Sequence, residues 1–117
     1  MKDMYVTITG RKGFLKQSPY KVGRILRLRR EPDNAYDPFA ICAELPLIGT
    51  IGYVANHGDN VYEGTMSARE IYYTIGKFAY AEIKFITRSS VIAQIIDVDE
   101  ETERVFNTVD MYYDNKD

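Results

Sequence analysis

Alternation of apolar and polar residues dominates this chain and predicts a mainly β protein. Six segments have the period-two pattern or the β-branched composition that is typical of strands. They are Tyr5–Gly10, residues 24–30, Phe39–Leu45, Thr50–Val54, Phe78–Thr87 and Val91–Val98. Short turns join the third segment to the fourth and the fifth to the sixth, so each pair is expected to form an antiparallel hairpin. We therefore expect a small OB-like antiparallel β-barrel of about six strands, because closure removes exposed strand edges.

The second predicted strand has a distinctive distribution of charge. Leu26 and Leu28 fall on one of its faces, and Arg27 and Arg29 fall on the other. Because successive side chains of a strand point to opposite faces, this pattern predicts an apolar core side and a cationic solvent side.

One segment has the pattern of a helix. Ser67 is followed three residues later by Glu70, which matches a capping box, and Ile71 and Ile75 follow at helical spacing before Gly76. This predicts a helix from Ala68 to about Ile75. Residues 55–66 show little periodicity, so they form either a long crossing loop or a short helical turn. The expected fold is thus mainly β with one or two short helices.

The length of 117 residues is that of one domain with a core of its own. We expect the barrel to occupy residues 1–98, with residues 99–117 as an acidic C-terminal tail or extension. No apolar run approaches the ~20 residues of a membrane span. The N-terminus lacks the apolar region of a signal peptide, and Cys42 is the only cysteine, so we expect a cytoplasmic protein.

The formal charge of −2 hides a strong asymmetry. Residues 1–30 carry nine basic and one acidic residue, a balance of +8, and residues 31–117 carry six basic and sixteen acidic residues, a balance of −10. The cationic part is either a solvated surface or a functional basic patch, and charge alone leaves both readings open. The basic residues concerned include Lys12, Lys16, Lys21, Arg24, Arg27 and Arg29.

Patterns that carry catalysis are missing. His57 has no serine or cysteine partner in a recognisable motif, and Cys42 lies in a predicted strand as a small core residue. One cysteine and one histidine cannot supply the ligands of a structural zinc site. We therefore expect neither enzymatic activity nor a cofactor.

The loop after the second strand is the strongest functional signal. Pro32 and Pro38 stiffen it, and between them it presents Asn34, Tyr36 and Asp37. An aromatic residue between short polar residues has few core neighbours in its own segment, so we expect exposure and a role in recognition for Tyr36. Asn34 and Asp37 also have a structural interpretation, since both residue types form Asx turns.

This loop and a later motif resemble the HIRAN domain, a module that is fused to fork-remodelling DNA helicases and also stands alone in bacteria. The resemblance rests on Arg-Glu-Pro-Asp-Asn-Ala-Tyr-Asp at residues 30–37, on Ala40 and Ile41, and on Ile-Gly-Tyr-Val at residues 51–54. It covers most of residues 5–98. This chain departs from the end-binding eukaryotic members before Gly10, where it has Thr7, Ile8 and Thr9 instead of aromatic and basic residues.

The resemblance implies an OB-like barrel that captures the free 3′ end of single-stranded DNA. It implies that Tyr36 stacks on the terminal base, that Asp37 holds the terminal hydroxyl and that Asn34 contacts sugar or phosphate. Tyr53 would line the same groove. The phosphates would be attracted by Arg27, Arg29 or Arg30, although Arg30 could instead form an exposed ion pair with Glu31.

We accordingly expect a non-enzymatic single-stranded DNA-binding module that recognises free 3′ ends in DNA repair or replication-fork processing. A protein-interaction module that partners a helicase or nuclease on another chain is the alternative, and the acidic tail would suit a basic partner. Phe85 could be a second base-facing ring, but its strand face is shared with Ala81 and Ile83, which favours the core.

Overall fold

The structure is a computed structural model that describes residues 3–10, 19–88 and 90–114, with side chains of the last helix described as far as Thr108. Lys12 and Lys16, two of the basic residues noted above, lie outside these ranges. The strands are β1 (Tyr5–Gly10), β2 (Ile25–Arg30), β3 (Ile41–Leu45), β4 (Gly49–Val54), β5 (Phe78–Ile86) and β6 (Val91–Ile96). The helices are α1 (Ala68–Ile71) and α2 (Glu100–Asp114), and a 3₁₀ turn covers Gly58–Asn60.

The six strands form a closed antiparallel barrel in the order β1-β4-β3-β2-β5-β6. Antiparallel pairing between β1 and β6 closes it. The predicted small OB-like barrel is therefore confirmed, as are both hairpins. Within the part of the chain that the structure describes, no helix is long and apolar enough to cross a membrane.

The core follows the alternation that predicted the strands. Leu26 and Leu28 point inward as expected, and α1 adds Ala68 and Ile71 from one end of the barrel. All five residues of β3 are nevertheless buried. The outer face of the sheet is thus also covered at β3, and this second layer changes the environment of polar residues on that face.

A β-bulge in β5 overturns one sequence prediction. The register between β5 and β6 shifts between Ile83 and Phe85, so the alternation of faces is broken at that point. Ile83 is buried, whereas the Phe85 side chain is 59 % exposed. The assignment of Phe85 to the core is therefore wrong.

The predicted capping box at α1 is present in full. The Glu70 amide donates to the Ser67 hydroxyl at 3.2 Å, and the Ser67 amide donates to the Glu70 carboxylate at 2.9 Å. The helix is shorter than predicted, because its last turn tightens and the Thr74 amide donates to the Ile71 carbonyl. The predicted end at about Ile75 is therefore wrong, although Gly76 does adopt the left-handed conformation, with a φ of +64°, after the turn that follows the helix.

The expected acidic tail is largely the helix α2. Asp99 caps it, with its Oδ1 accepting from the Thr102 amide at 2.9 Å. Phe106 is buried against the barrel, where its ring lies 5.5 Å from that of Tyr80. The residues after 98 therefore include a helix that covers part of the outer face of the sheet.

Candidate functional site

The loop over residues 31–40, which joins β2 to β3, is fixed by hydrogen bonds of its own side chains. The Asn34 Oδ1 atom accepts from the backbone amides of Tyr36 and Asp37, each at 2.9 Å. The Asp37 Oδ1 atom accepts from the Phe39 amide at 2.8 Å. Asn34 and Asp37 therefore form the Asx turns that the structural interpretation of the sequence expected.

Tyr36 projects from this fixed loop into solvent. Its side chain is 98 % exposed, which confirms the exposure that we expected from the sequence. A tyrosine ring with both faces accessible can stack on a nucleobase, and its hydroxyl can reach a phosphate. The loop thus presents the ring without using it in the core.

A cavity of about 340 Å³ lies beside the ring and brings together four of the predicted site residues. They are Asn34, Tyr36, Asp37 and Tyr53. Thr9 of β1 also lines the cavity, while Asn56, His57 and Asn60 line it from the segment that follows β4. The site is therefore built from three separate parts of the chain.

Thr7, Ile8 and Thr9 precede Gly10, and their burial determines which of them can contact a ligand in the cavity. Thr7 and Ile8 are buried, so of the three residues Thr9 alone reaches the cavity. The Thr9 hydroxyl donates to the Tyr53 carbonyl at 3.2 Å. Thr9 therefore contributes a small side chain that is hydrogen-bonded to the backbone, and it offers no aromatic surface on which a base could stack.

Gly52 of the Gly-Tyr-Val motif is required by packing. A Cβ atom there would lie 2.3 Å from the Thr9 carbonyl oxygen and 2.5 Å from the Tyr20 hydroxyl. That hydroxyl donates to the Ile51 carbonyl at 2.8 Å, and burial raises the pKa of Tyr20 to about 12. The glycine thus allows β1, β4 and Tyr20 to approach closely, which fixes the position of Tyr53.

Glu31 connects Tyr53 to the loop. Its Oε2 accepts from the Tyr53 hydroxyl at 3.4 Å, and its Oε1 accepts from the Asn34 side-chain amide at 3.0 Å. The Arg29 guanidinium lies 3.9 Å from the same carboxylate. Glu31 therefore orients two cavity residues and also offsets a nearby positive charge.

Asn56 is a site residue that sequence reasoning missed. Its Nδ2 donates to the Asp37 Oδ2 at 2.9 Å, and its Oδ1 accepts from the Arg69 amide at 2.8 Å. Asn56 thereby ties the loop to the start of α1. A polar residue in an aperiodic segment gives no sign of this role, because the contact joins positions 19 residues apart in the chain.

Arg27 is not on a solvent face, and that prediction is wrong. The residue is 2 % exposed because α2 covers the outer face of β2. Its Nε and Nη2 atoms lie 2.7 Å and 2.6 Å from the Glu44 Oε1. The guanidinium lies 4.4 Å from the ring centroid of Phe78 and 5.4 Å from that of Phe106. Arg27 is a structural residue that cannot reach a phosphate in this conformation.

The other two arginines differ in how far their charge is compensated. The Nε of Arg29 lies 3.3 Å from both carboxylate oxygens of Glu44, so this charge is shared with an acid. Arg30 instead donates to the Tyr72 carbonyl at 3.3 Å and stacks 4.9 Å from the Tyr72 ring centroid. Among the described residues, no ion pair includes Arg30, so the predicted pair with Glu31 does not form.

Arg29 and Arg30 line a second depression of about 310 Å³ together with the acids Glu31 and Asp33, and this depression shares Asn34 with the cavity. The cavity itself has Asp37 as its only acid and no lysine or arginine among its described lining residues. Arg30 thus supplies a cation beside the cavity, where Glu31 and Asp33 offset part of the positive charge, and a carboxylate lies within the cavity. This arrangement suits a ligand that has an anionic body and a neutral, hydroxylated end.

Comparisons of the chain with protein-family models, with curated proteins and with solved structures found no match.

Proposed function

We propose that this protein is a single-stranded DNA-binding module that recognises free 3′ ends, as the HIRAN domain does that its sequence resembles. One observation carries the proposal: an almost fully exposed Tyr36 ring lies at the edge of a cavity that also contains Asp37 and Tyr53. Stacking of one base contributes about 1–3 kcal/mol, so one such ring supplies a substantial part of the binding free energy of a weak complex.

The proposed arrangement places the terminal nucleoside in the cavity and the preceding phosphates beside Arg30 and Arg29. An ionised carboxylate only accepts hydrogen bonds, so Asp37 can accept one from a 3′-hydroxyl. A 3′-phosphate would bring like charge to the same carboxylate and should bind less well.

Asp37 can serve both the loop and a ligand. Each carboxylate oxygen accepts one hydrogen bond within the protein, from the Phe39 amide and from Asn56. A carboxylate has about four lone-pair positions, so an acceptor site remains for a hydroxyl. The proposed role is therefore compatible with the structural one, and an experiment must separate the two.

A charge swap between Asp37 and Asn56 achieves this separation. In Asp37→Asn the new amide nitrogen would face the amide nitrogen of Asn56, so the loop should loosen as well as lose its charge. The double variant Asp37→Asn/Asn56→Asp restores a donor opposite an acceptor and keeps an acceptor for the Arg69 amide. Thermal stability should fall in the single variant and recover in the double variant.

Affinity should behave differently from stability. The wild type should bind 3′-hydroxyl ends more tightly than 3′-phosphate ends by roughly tenfold, since a hydrogen bond to a charged group is worth about 1.5–3 kcal/mol. Asp37→Asn should lose this ratio, measured by fluorescence anisotropy with matched oligonucleotides. In the double variant a carboxylate returns to the cavity at position 56, so the ratio should recover only in part while stability recovers. Equal wild-type affinity for the two ends, or a ratio that Asp37→Asn leaves unchanged, would make Asp37 a turn residue without a part in end recognition.

The proposed module has no catalytic role of its own. Cys42 is buried in β3, and burial raises the pKa of its thiol to about 11, so it is a poor nucleophile at neutral pH. Any chemistry on the captured end would then be supplied by another protein.

A further inference from the structure

A further cavity of about 340 Å³ is lined by residues of β1, β5, β6 and the segment 55–66. This aromatic groove includes Tyr5, Tyr62, Glu63, Phe85, Thr87 and Ile92. It shares no lining residue with the Tyr36 cavity. A ligand in one cavity therefore leaves the residues of the other free to act.

A β-bulge in β5 exposes the aromatic ring of Phe85 in this groove. The bulge between Ile83 and Phe85 turns Phe85 out of the core, to which strict alternation would have assigned it. Tyr62, on the opposite side of the groove, is 54 % exposed. Bulges commonly re-aim a side chain beside a functional site, and clustered exposed apolar groups mark interaction surfaces.

The rings of the groove do not pack against one another. Phe39 and Tyr72, by contrast, form an aromatic pair at a centroid distance of 5.4 Å. Within the described residues, no ring–ring contact joins Tyr5, Tyr62 and Phe85. Tyr62 and Phe85 are exposed and Tyr5 is partly exposed, so part of each ring is accessible to a ligand.

We infer that the aromatic groove binds an extended, proline-rich peptide segment of a partner protein that carries an arginine or lysine. The closed barrel gives each of its six strands two neighbours, so a partner cannot bind by adding a strand. Proline-rich peptides instead dock into grooves lined by aromatic rings, and their preformed backbone loses little entropy on binding.

Charge decides between a peptide and a second length of nucleic acid. Among the described residues that line the groove, Glu63 alone is charged. A carboxylate beside aromatic rings attracts a guanidinium or ammonium group and repels a phosphate. The groove thus favours a cationic peptide over the polyanion proposed for the Tyr36 cavity, and this inference stands independently of that proposal.

The test is a titration of the isotope-labelled protein followed by backbone amide NMR. The probe is the capped peptide Arg-Pro-Leu-Pro-Pro-Leu-Pro, together with its reversed-order version and with copies in which arginine is replaced by glutamine or glutamate. At up to about 1 mM peptide, which reaches weak binding, the arginine versions should shift amides of residues 62–65, 85–87 and 92. Binding should be weaker for the glutamine copies and weakest for the glutamate copies.

Variants assign the binding to the groove. Tyr62→Ala and Phe85→Ala should each weaken it by about tenfold, since aromatic anchors dominate such interfaces. Glu63→Gln should remove the preference for arginine over glutamine. Tyr73→Ala is the matched control, because this tyrosine is 80 % exposed and does not line the groove. All four positions are exposed, so loss of the fold is not expected.

Two results would overturn the inference. One is the absence of saturable shifts with either arginine peptide, or equal binding of the glutamate copies. The other is an octathymidylate that shifts the same groove amides and competes with the peptide, which would make the groove a nucleic-acid surface.

Discussion

At the scale of single residues, two short polar side chains determine how Tyr36 is presented. Asn34 and Asp37 use their side-chain oxygens to hold backbone amides of the loop. This bonding leaves the Tyr36 ring surrounded by solvent on a fixed backbone. Pre-organisation of this kind favours binding, because little further freedom is lost when a ligand arrives.

Tyr36→Ala tests the ring directly. We expect the variant to lose about 1–3 kcal/mol of single-strand affinity, the usual worth of one base stack, with almost no change in thermal stability. Tyr36→Phe should have a mild effect. Tyr73→Ala removes another well-exposed ring and should leave single-strand affinity unchanged, with a small loss of stability from its edge contacts with Tyr72 and Phe39; unfolding of the Tyr36→Ala variant would instead assign the ring to the core.

Truncation of Arg27 should mainly lower stability, whereas truncation of Arg30 should mainly lower the affinity for single strands. Arg27→Ala leaves the buried Glu44 with Arg29 as its remaining cationic partner, so it should lower the free energy of unfolding by less than the roughly 3–5 kcal/mol of a fully unpaired buried charge. Arg27→Met/Glu44→Leu should regain most of that loss, since a buried ion pair can be replaced by apolar groups of similar size.

Arg30→Ala should lower stability by about 1 kcal/mol, because it removes the hydrogen bond to the Tyr72 carbonyl and the stacking on the Tyr72 ring at a partly exposed position. Affinity for single strands should fall, and the slope of log K against log salt should become shallower by about 0.7 if one phosphate contact is lost. Equilibrium denaturation and anisotropy titrations of both variants measure these effects. Reduced affinity in a fully folded Arg27→Ala protein would contradict the structural assignment.

Local pattern predicted some residues well and could not predict others. The exposure of Tyr36 and the turns at Asn34 and Asp37 depend on neighbours in the same loop, so the sequence was sufficient. The burial of Arg27 depends on Phe106, which is far away in the chain. The contact between Asn56 and Asp37 likewise arises only when the barrel closes.

At the scale of elements, α2 is the part of the fold that is hardest to predict from the sequence. Its acidic residues, including Glu100, Glu101 and Glu103, resemble a solvated tail, and among the helix residues whose side chains are described only Phe106 is buried. The strands were predictable because a period of two repeats several times in each. Where a bulge interrupts the period, at Phe85, the prediction of faces failed.

The cap of α2 should make the helix sensitive to acid. The backbone hydrogen bond from Thr102 lowers the pKa of Asp99 below its ordinary value of 3.8. A lowered pKa in the folded state means that this stabilisation is present above the ordinary value and is lost as the pH falls through the folded value. We expect the Thr102 amide resonance to report fraying of the helix start in that range.

Asp99→Asn provides the control, because it keeps a capping oxygen without a titrating group. The Thr102 resonance of this variant should stay nearly constant over the same pH range. The same acid dependence in the variant would show that another carboxylate, such as one in the first turn of α2, controls the effect.

At the scale of the whole molecule, the arginines of the cationic segment 1–30 that the structure describes are less available to a ligand than their charge suggests. Of the three arginines expected to attract phosphates, Arg27 is buried and Arg29 is paired with Glu44. Residues 31–117 add a balance of −10. A molecule of this kind is expected to grip a few phosphates locally and to have little general affinity for nucleic acid.

The dependence of binding on salt tests that expectation. For two or three phosphate contacts on a single strand, log K should fall with log salt at a slope of roughly −1.4 to −2.1. Anisotropy titrations at several salt concentrations, with single-stranded and blunt duplex oligonucleotides, measure the slope. A steep slope that is equal for both ligands would indicate a broad cationic surface and would contradict end recognition.

Closure of the barrel has a consequence for the dynamics of the backbone. Each of the six strands is bonded to two neighbours, so no strand can separate by breaking a single ladder. Hydrogen exchange at the bonded amides of all six strands should then require opening of the whole barrel, with one common free energy equal to that of global unfolding. Residues 32–39 of the β2–β3 loop and residues 56–65 of the crossing segment lie outside these ladders. If a ligand binds these segments, hydrogen exchange should slow only there, while the exchange of the strand amides stays unchanged.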